Sequence, residues 1–292
     1  MSPTDPKPIT KTFPPISQHD PFTTDHNSIA ADLDGTLLKS NLSFLYYILL
    51  AIEAGSLIRG LILIFSIPLI TLTSIFISEQ LAAKILIFIT YSQLKMSNIE
   101  HVSRTILPFF YAKDVRNDSF EVFDMCEKKV VVTANPVVMV DVFVKEWLGG
   151  DKVIGTAIEV DLRTGKATGF VKEPGVLFGE LKRLAVVKEF GDDVPDIGIG
   201  DRDTDFEFMS ICKESYIVPT DHYARLVSPD RLKTQLIFHD AYQALPPSSM
   251  ITYIQLPFRF VTSPFRCYFN VTLVKGIVKS IYSRSWSWWQ EA

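Results

Sequence analysis

Ser28-Ile29-Ala30-Ala31-Asp32-Leu33-Asp34-Gly35-Thr36 is the stretch that decides how this 292-residue chain is read. Its first four residues form a short apolar strand of the kind buried in a parallel sheet. Two aspartates follow at the strand's end, where such sheets place their ligands. Asp32 supplies a carboxylate able to attack phosphorus in line and form an aspartyl phosphate. Asp34 can protonate the departing alkoxide and later take a proton from water. Gly35 permits a tight turn and a close approach of backbone to phosphate, and Thr36 can hydrogen-bond within it. An acidic turn without chemistry is the plainer alternative. It is disfavoured because the string is rare by composition and follows the apolar strand it needs.

Working outward, Lys129–Thr133 (KVVVT) reads as a second buried strand, with Thr133 at its end offering a hydroxyl to a phosphoryl oxygen. Pro136–Trp147 suits the helix after it. Val153–Val160 and Ala167–Val171 alternate around Arg163-Thr164-Gly165-Lys166, a β-hairpin signal. Gly179–Phe190 has helical spacing and carries Lys182, able to neutralise a phosphoaspartate; Arg183 and Lys188 compete for that role. Ile197–Gly200 is another short strand. It runs into Asp201-Arg202-Asp203-Thr204-Asp205, whose Asp201 and Asp205 suit a hard cation that prefers oxygen ligands. An Asp-rich turn or helix cap is the plain alternative there. Strands alternating with helices predict an α/β fold with a parallel sheet.

The apolar residues are unevenly spread. Residues 1–28, rich in Pro, Thr, Asp and His and without an apolar signal core, read as a disordered leader. Residues 42–92 are strongly apolar, and Leu61–Ser78 carries no charge at all, although Pro68 sits at its centre. A buried helical module over the active site is one reading. A membrane hairpin or interfacial insertion is the reading adopted, because cap modules of soluble enzymes rarely carry so long an uncharged run. Met250–Tyr282 interleaves aromatics and leucines with Arg259, Arg266, Lys275 and Lys279, which also suits a membrane interface. A net charge of −4 gives no electrostatic footprint for nucleic acid. Cys126, Cys212 and Cys267 are scattered and read as reduced thiols in a cytosolic environment.

These residues resemble the haloacid-dehalogenase (HAD) superfamily: DLDGT at 32–36, Thr133, Lys182, and GDRDTD at 200–205 stand for its four motifs in order. The resemblance implies a Rossmann-like sheet with an inserted helical cap. It also implies Mg²⁺ held by Asp32, Asp201 and the backbone carbonyl of Asp34, with Asp205 ligating or acting from behind. A closer resemblance covers nearly the whole chain. ADLDGTLLKSNLSFLYYILLAIEAGSL, VVVTANPVVMVDVFVKEWLG, VKEFGDDVPDIGIGDRDTDFEFMSICKESYIVP and LPFRFVTSPFRCYFN look like the land-plant glycerol-3-phosphate sn-2-acyltransferases. Those are membrane enzymes of cutin and suberin synthesis with an N-terminal HAD domain and a C-terminal acyltransferase domain. Members with intact HAD motifs also remove phosphate to leave 2-monoacylglycerol.

On this reading residues 29–220 form the HAD-like phosphatase domain, with 42–115 as a membrane-associated helical cap. Residues 221–292 resemble the start of an acyltransferase domain, as a C-terminal membrane-associated helical segment. The family's acyltransferase chemistry depends on an H-x₄-D pair. His19, His26, His101, His222 and His239 are followed five positions later by Thr24, Ala31, Ile106, Val227 and Ala244, so none has the Asp. The expectation is a Mg²⁺-dependent phosphatase acting on a lysophosphatidate-like lipid monophosphate, from a truncated family member. It would sit at the endoplasmic reticulum membrane with the catalytic domain facing the cytosol. The competing readings are a catalytically idle membrane interaction protein and a soluble phosphatase of small metabolites.

Overall fold

The computed structural model describes residues 13–19, 27–40, 43–219, 224–228 and 231–233. Five parallel strands form the central sheet: β1 (Ser28–Ala31), β2 (Lys128–Pro136), β3 (Lys152–Thr156), then, after a separate hairpin of β4 (Ile158–Asp161) and β5 (Lys166–Val171), β6 (Ile197–Gly200) and β7 (Glu214–Ile217). Their order is β3-β2-β1-β6-β7, and β4 pairs only with β5. The register sets Ala30 beside Val130 and Gly198. Strand order therefore reverses at β1, and a crevice opens beyond the ends of the strands that flank the reversal.

Helices fill the connections. Between β1 and β2 lie α1 (Phe44–Leu50), continued by a π turn to Gly55, then α2 (Leu57–Phe65), α3 (Ile67–Phe76), α4 (Glu79–Tyr91), α5 (Met96–Thr105), α6 (Leu107–Tyr111) and α7 (Asn117–Met125). After β2 comes α8 (Val137–Val142) with a π turn to Leu148. Helix α9 (Glu180–Phe190) precedes β6, and α10 (Phe206–Met209) follows it. One face of the sheet buries Ala30, Val130 and Val132 against Val186 and Phe190 of α9 and Phe208 and Met209 of α10. Full burial of side chains of this size contributes about 1.5–3 kcal/mol each for the larger ones.

The cap enters and leaves through one pinned neck. Leu38 lies opposite Val115, Lys39 N–H donates to Asp114 O (2.7 Å) and Arg116 N–H to Leu37 O (2.9 Å). The Asp114 carboxylate accepts from Ser40 N–H and the Tyr46 hydroxyl, both at 3.0 Å. Within the cap, Ser56 caps α2 by accepting Arg59 N–H (3.3 Å), and Ser78 caps α4 by accepting Leu81 N–H (3.5 Å).

Four expectations change. The uncharged run Leu61–Ser78 is broken: α2 and α3 meet at a 40° bend, with Pro68 in the first turn of α3, where its missing N–H costs nothing. Among the described residues no single helix is long and apolar enough to cross a membrane; the bent pair together reaches that length and composition. The stretch Val153–Val160 is divided between β3 in the main sheet and β4 in the hairpin, because the chain turns away at Ala157. The leader is structured at 13–19, where Pro15 bridges Ile217 and Ile16 is buried. The α/β unit also reaches past residue 220: Arg116 bridges Leu226, and Lys233 N–H donates to Trp147 O. The membrane-associated segment expected at 250–282 lies outside the described residues.

Candidate active site

Asp32 follows the last residue of β1, and its N–H continues the pairing by donating to Ile199 O (2.9 Å). The chain then closes on itself through Leu38 N–H to Leu33 O and Gly35 N–H to Ser40 O. Gly35 takes φ 84° in this turn, a left-handed conformation that favours glycine. Across the sheet, β6 delivers Asp201, and Gly200 lets α10's approach bring Asp205 tight against the strand end. A Cβ at Gly200 would meet Asp205 Cβ at 2.6 Å and Met209 Sδ at 2.8 Å.

Lys182, on the buried stripe of α9 with Val186 and Phe190, joins these loops. Its Nζ donates to Asp32 Oδ1 and Asp205 Oδ1, both at 2.6 Å, with all three side chains almost wholly buried. Arg183 instead pairs with Glu180 and Lys188 is exposed, so of the three cations Lys182 is the one placed against the two aspartates. Burial lowers the proton affinity of Lys182, but Asp32 and Asp205 outweigh it and hold the ammonium above its ordinary value. Burial, reinforced by Asp205 and Asp201, pushes Asp32 up to about 7 against the pull of Lys182. Asp201 rises to about 6, chiefly by burial, opposed by the Arg202 guanidinium.

Asp34 is tied to the cap. Its Oδ2 accepts from Asn135 Nδ2 (2.7 Å), and Asn135 Oδ1 accepts from the Tyr47 hydroxyl of α1 (3.3 Å). Among the described residues its buried Oδ1 has no hydrogen-bond partner. Burial, then the neighbouring Asp32, pushes this carboxyl up to about 7. Such an oxygen, within a pocket of about 120 Å³ bounded by Ala83 and Leu86 of α4, Phe178 and Arg202, is placed to exchange a proton with a bound group.

Asp32, Asp201 and Asp205 bring carboxylate oxygens within 4.8 Å of one another. All-oxygen donors of this kind fit a hard divalent cation. The Asp205 oxygens are both engaged, one by Lys182 and the other by Arg202 N–H (3.3 Å). Asp205 therefore acts first as an anchor for Lys182, and Asp32 and Asp201 are the carboxylates left for such a cation. Thr36 Oγ1 lies near both, 3.4 and 3.5 Å from their oxygens.

Thr133 is fully buried within β2, its hydroxyl accepts Asn135 N–H (3.1 Å), and Ala134 and Asn135 line the pocket in its place. Asn135, Arg202, Tyr47 and the two α4 residues were not singled out from the sequence. Asn135 alone had a usable signal: a polar side chain two residues beyond Thr133, on the same face of the strand.

Fold and site together define a HAD-like domain. The chain belongs to the family described as glycerol-3-phosphate acyltransferase RAM2-like, HAD-like domain, which it matches over residues 28–218. It is 46% identical over 220 residues to the glycerol-3-phosphate acyltransferase RAM2 of Petunia hybrida, across 75% of this chain and 46% of that protein. It is 30% identical over 283 residues to glycerol-3-phosphate acyltransferase 1 of Arabidopsis thaliana, across 90% of this chain and 47% of that one. The chain thus spans about half the length of the curated relatives it matches. Among solved structures, a protein of unknown function from Bordetella pertussis Tohama I shares the fold at 17% identity and a TM-score of 0.51, over 64% of this chain and 87% of that one.

Proposed function

We propose that this chain is a Mg²⁺-dependent phosphatase that works through an aspartyl phosphate on Asp32. The observation that carries the reading is the Lys182 bridge between Asp32 and Asp205, set beside the unpartnered Asp34 oxygen. Asp32 attacks phosphorus as the bond to the leaving oxygen breaks, and Asp34 gives that oxygen its proton. Water then attacks the phosphoaspartate, Asp34 takes the proton back, and inorganic phosphate leaves with Asp32 restored. Lys182 stays charged throughout and balances the nucleophile before and after transfer. Asp32 and Asp201 would hold Mg²⁺, which would supply positive charge to offset that of the phosphoryl group.

The substrate class in this proposal is a 2-acyl lysophosphatidate-like lipid monophosphate, with 2-monoacylglycerol as the product and cutin- or suberin-type lipid synthesis as the use. Support comes from the cap: Leu57, Ile58 and Phe65 of α2 and Ile77 just after α3 are each at least 70% exposed. A surface with so many large apolar side chains suits a lipid interface, and we propose that the protein works there, at the endoplasmic reticulum with its catalytic domain toward the cytosol. Acyl transfer is not part of the proposal, because no histidine here has the Asp of an H-x₄-D pair.

The test is phosphate release by the purified chain from lipid and water-soluble monophosphates side by side. Asp32→Asn should lower Mg²⁺-dependent turnover by about a thousandfold or more. Unchanged turnover would refute the nucleophile assignment. Preference for the soluble substrates, with release from membranes by carbonate, would favour a small-metabolite phosphatase.

A further inference from the structure

Beyond the C-terminal end of α4, a second pocket of about 360 Å³ opens between the cap and the hairpin, sharing no lining residue with the catalytic pocket. Residues 93–96 run beside β5 as an added edge. Gln93 N–H donates to Ala167 O and Ala167 N–H to Leu94 O, both at 2.8 Å, and Met96 N–H donates to Gly165 O at 2.9 Å. That register sets Lys95 directly opposite Lys166. Arg59, from the first turn of α2, lines the same pocket with Asn98 and Ser56.

Like charges directly opposite one another across paired strands oppose the fold by roughly 0.2–1 kcal/mol. No carboxylate lines the pocket, and among the described residues none of the three cations has an ion-pair partner. Asp161, the cross-strand partner of Lys166 on the other side, is committed to the hairpin turn, where it accepts Arg163 N–H (3.0 Å) and the Thr164 hydroxyl (2.9 Å). Gln93 also lines the pocket and holds φ 63°, a left-handed conformation for a residue with a side chain. Strain of that sort persists where a structure shapes a ligand site. The positive end of α2 opens on the same space, since its N-cap Ser56 is part of the lining.

We propose that this pocket is a phosphate-binding site, in which Arg59, Lys95 and Lys166 clasp the dianion of a phosphate monoester. Arg59 already donates to the Ile89 and Thr90 carbonyls through Nη1, which fixes the guanidinium for a bound anion. The pocket adjoins the apolar face, for Leu57 and Ile58 directly follow Ser56. Its phosphate can therefore belong to a lipid headgroup or to a soluble ester, and the experiment separates the two.

The 292-residue chain and its Lys95→Gln/Lys166→Gln variant are compared in EDTA, so that the outcome does not depend on turnover at Asp32. One arm measures flotation with phosphatidylcholine vesicles with and without phosphatidic acid. The other measures the rise in unfolding midpoint with inorganic phosphate. Loss of about tenfold in phosphatidic-acid-dependent binding identifies the lipid source. Loss confined to the phosphate-induced rise identifies the soluble one. The idea fails if the variant matches the wild type in both arms. It fails equally if Lys84→Gln/Lys172→Gln, which removes two exposed charges elsewhere on the chain, loses as much. Lys95→Glu guards against misfolding: it replaces a repulsion with a pair to Lys166, so it should raise the unfolding midpoint while still losing the anion.

Discussion

Strand β1 and helix α3 are both free of charged residues, and the molecule treats them in opposite ways. Ile29, Ala30 and Ala31 are wholly buried between two neighbouring strands, whereas Leu69, Leu72 and Phe76 of α3 are all more than half exposed. Hydropathy is shared; partners are not. The strand is covered because β2 and β6 satisfy its backbone on both sides and α9 and α10 cover a face of the sheet. The helix satisfies its own backbone and has a partner on one side only, so its apolar stripe is left over. Buried apolar residues in this protein place catalytic groups, and exposed ones define a surface.

The largest effect on that contrast should come from the ion bridge at the end of the buried region. Lys182→Met leaves the Asp32 and Asp205 carboxylates facing each other without their cation, and urea unfolding in EDTA should show a loss of about 3–5 kcal/mol. A loss below 1 kcal/mol would mean that the bridge is not what closes the site.

A smaller effect is expected at the entry to β1. The Asp196 carboxylate accepts from Asn27 N–H, Ser28 N–H and the Ser28 hydroxyl and pairs with Lys213, clamping the start of β1 to the start of β6. Asp196→Ala should cost about 1–3 kcal/mol at neutral pH. Burial tends to raise this carboxyl, but Lys213, Ser28 and the backbone donors hold it below its ordinary 3.8. Its contribution is therefore present above that value and is lost as pH falls through the lower folded value. The difference between wild type and variant should shrink in acid. A constant difference across that range would show that packing, not the charge, is what the variant removes.

The smallest stability change belongs to the exposed face. Leu61→Ser, Leu69→Ser and Phe76→Ser should each shift unfolding by no more than about 0.5 kcal/mol, while each weakens binding to phosphatidylcholine vesicles by about 1–2 kcal/mol. A destabilisation above 2 kcal/mol at any of them would place that residue in the core and erase the contrast.

The buried half was also the more legible half. The β6 strand and the order of the motifs are readable because each motif follows a short apolar run whose burial is forced. Lys182 could have been separated from Arg183 and Lys188 by its i, i+4 relation to Val186 and Phe190. The break between β3 and β4 was hidden, since the sequence of Val153–Val160 reads as one extended run with no Pro or turn-forming pair at Ala157. Tyr47, Ala83 and Leu86 reach the pocket only because the cap folds back over the sheet, a relation that no local pattern encodes. The leader's contact at Pro15 is of the same kind, set by a strand some two hundred residues later in the chain.

The placement of β1 between β2 and β6 has a consequence for how the protein is made. Ser28 and Asp196, which meet at the base of those strands, are 168 residues apart. At ordinary ribosomal speeds the second follows the first by on the order of ten to thirty seconds. In the later part of that interval the cap helices are already synthesised while Asp32 still waits for Asp201 and Asp205. Whatever surface or chaperone greets the nascent chain thus meets its greasy helices before there is any enzyme to deliver.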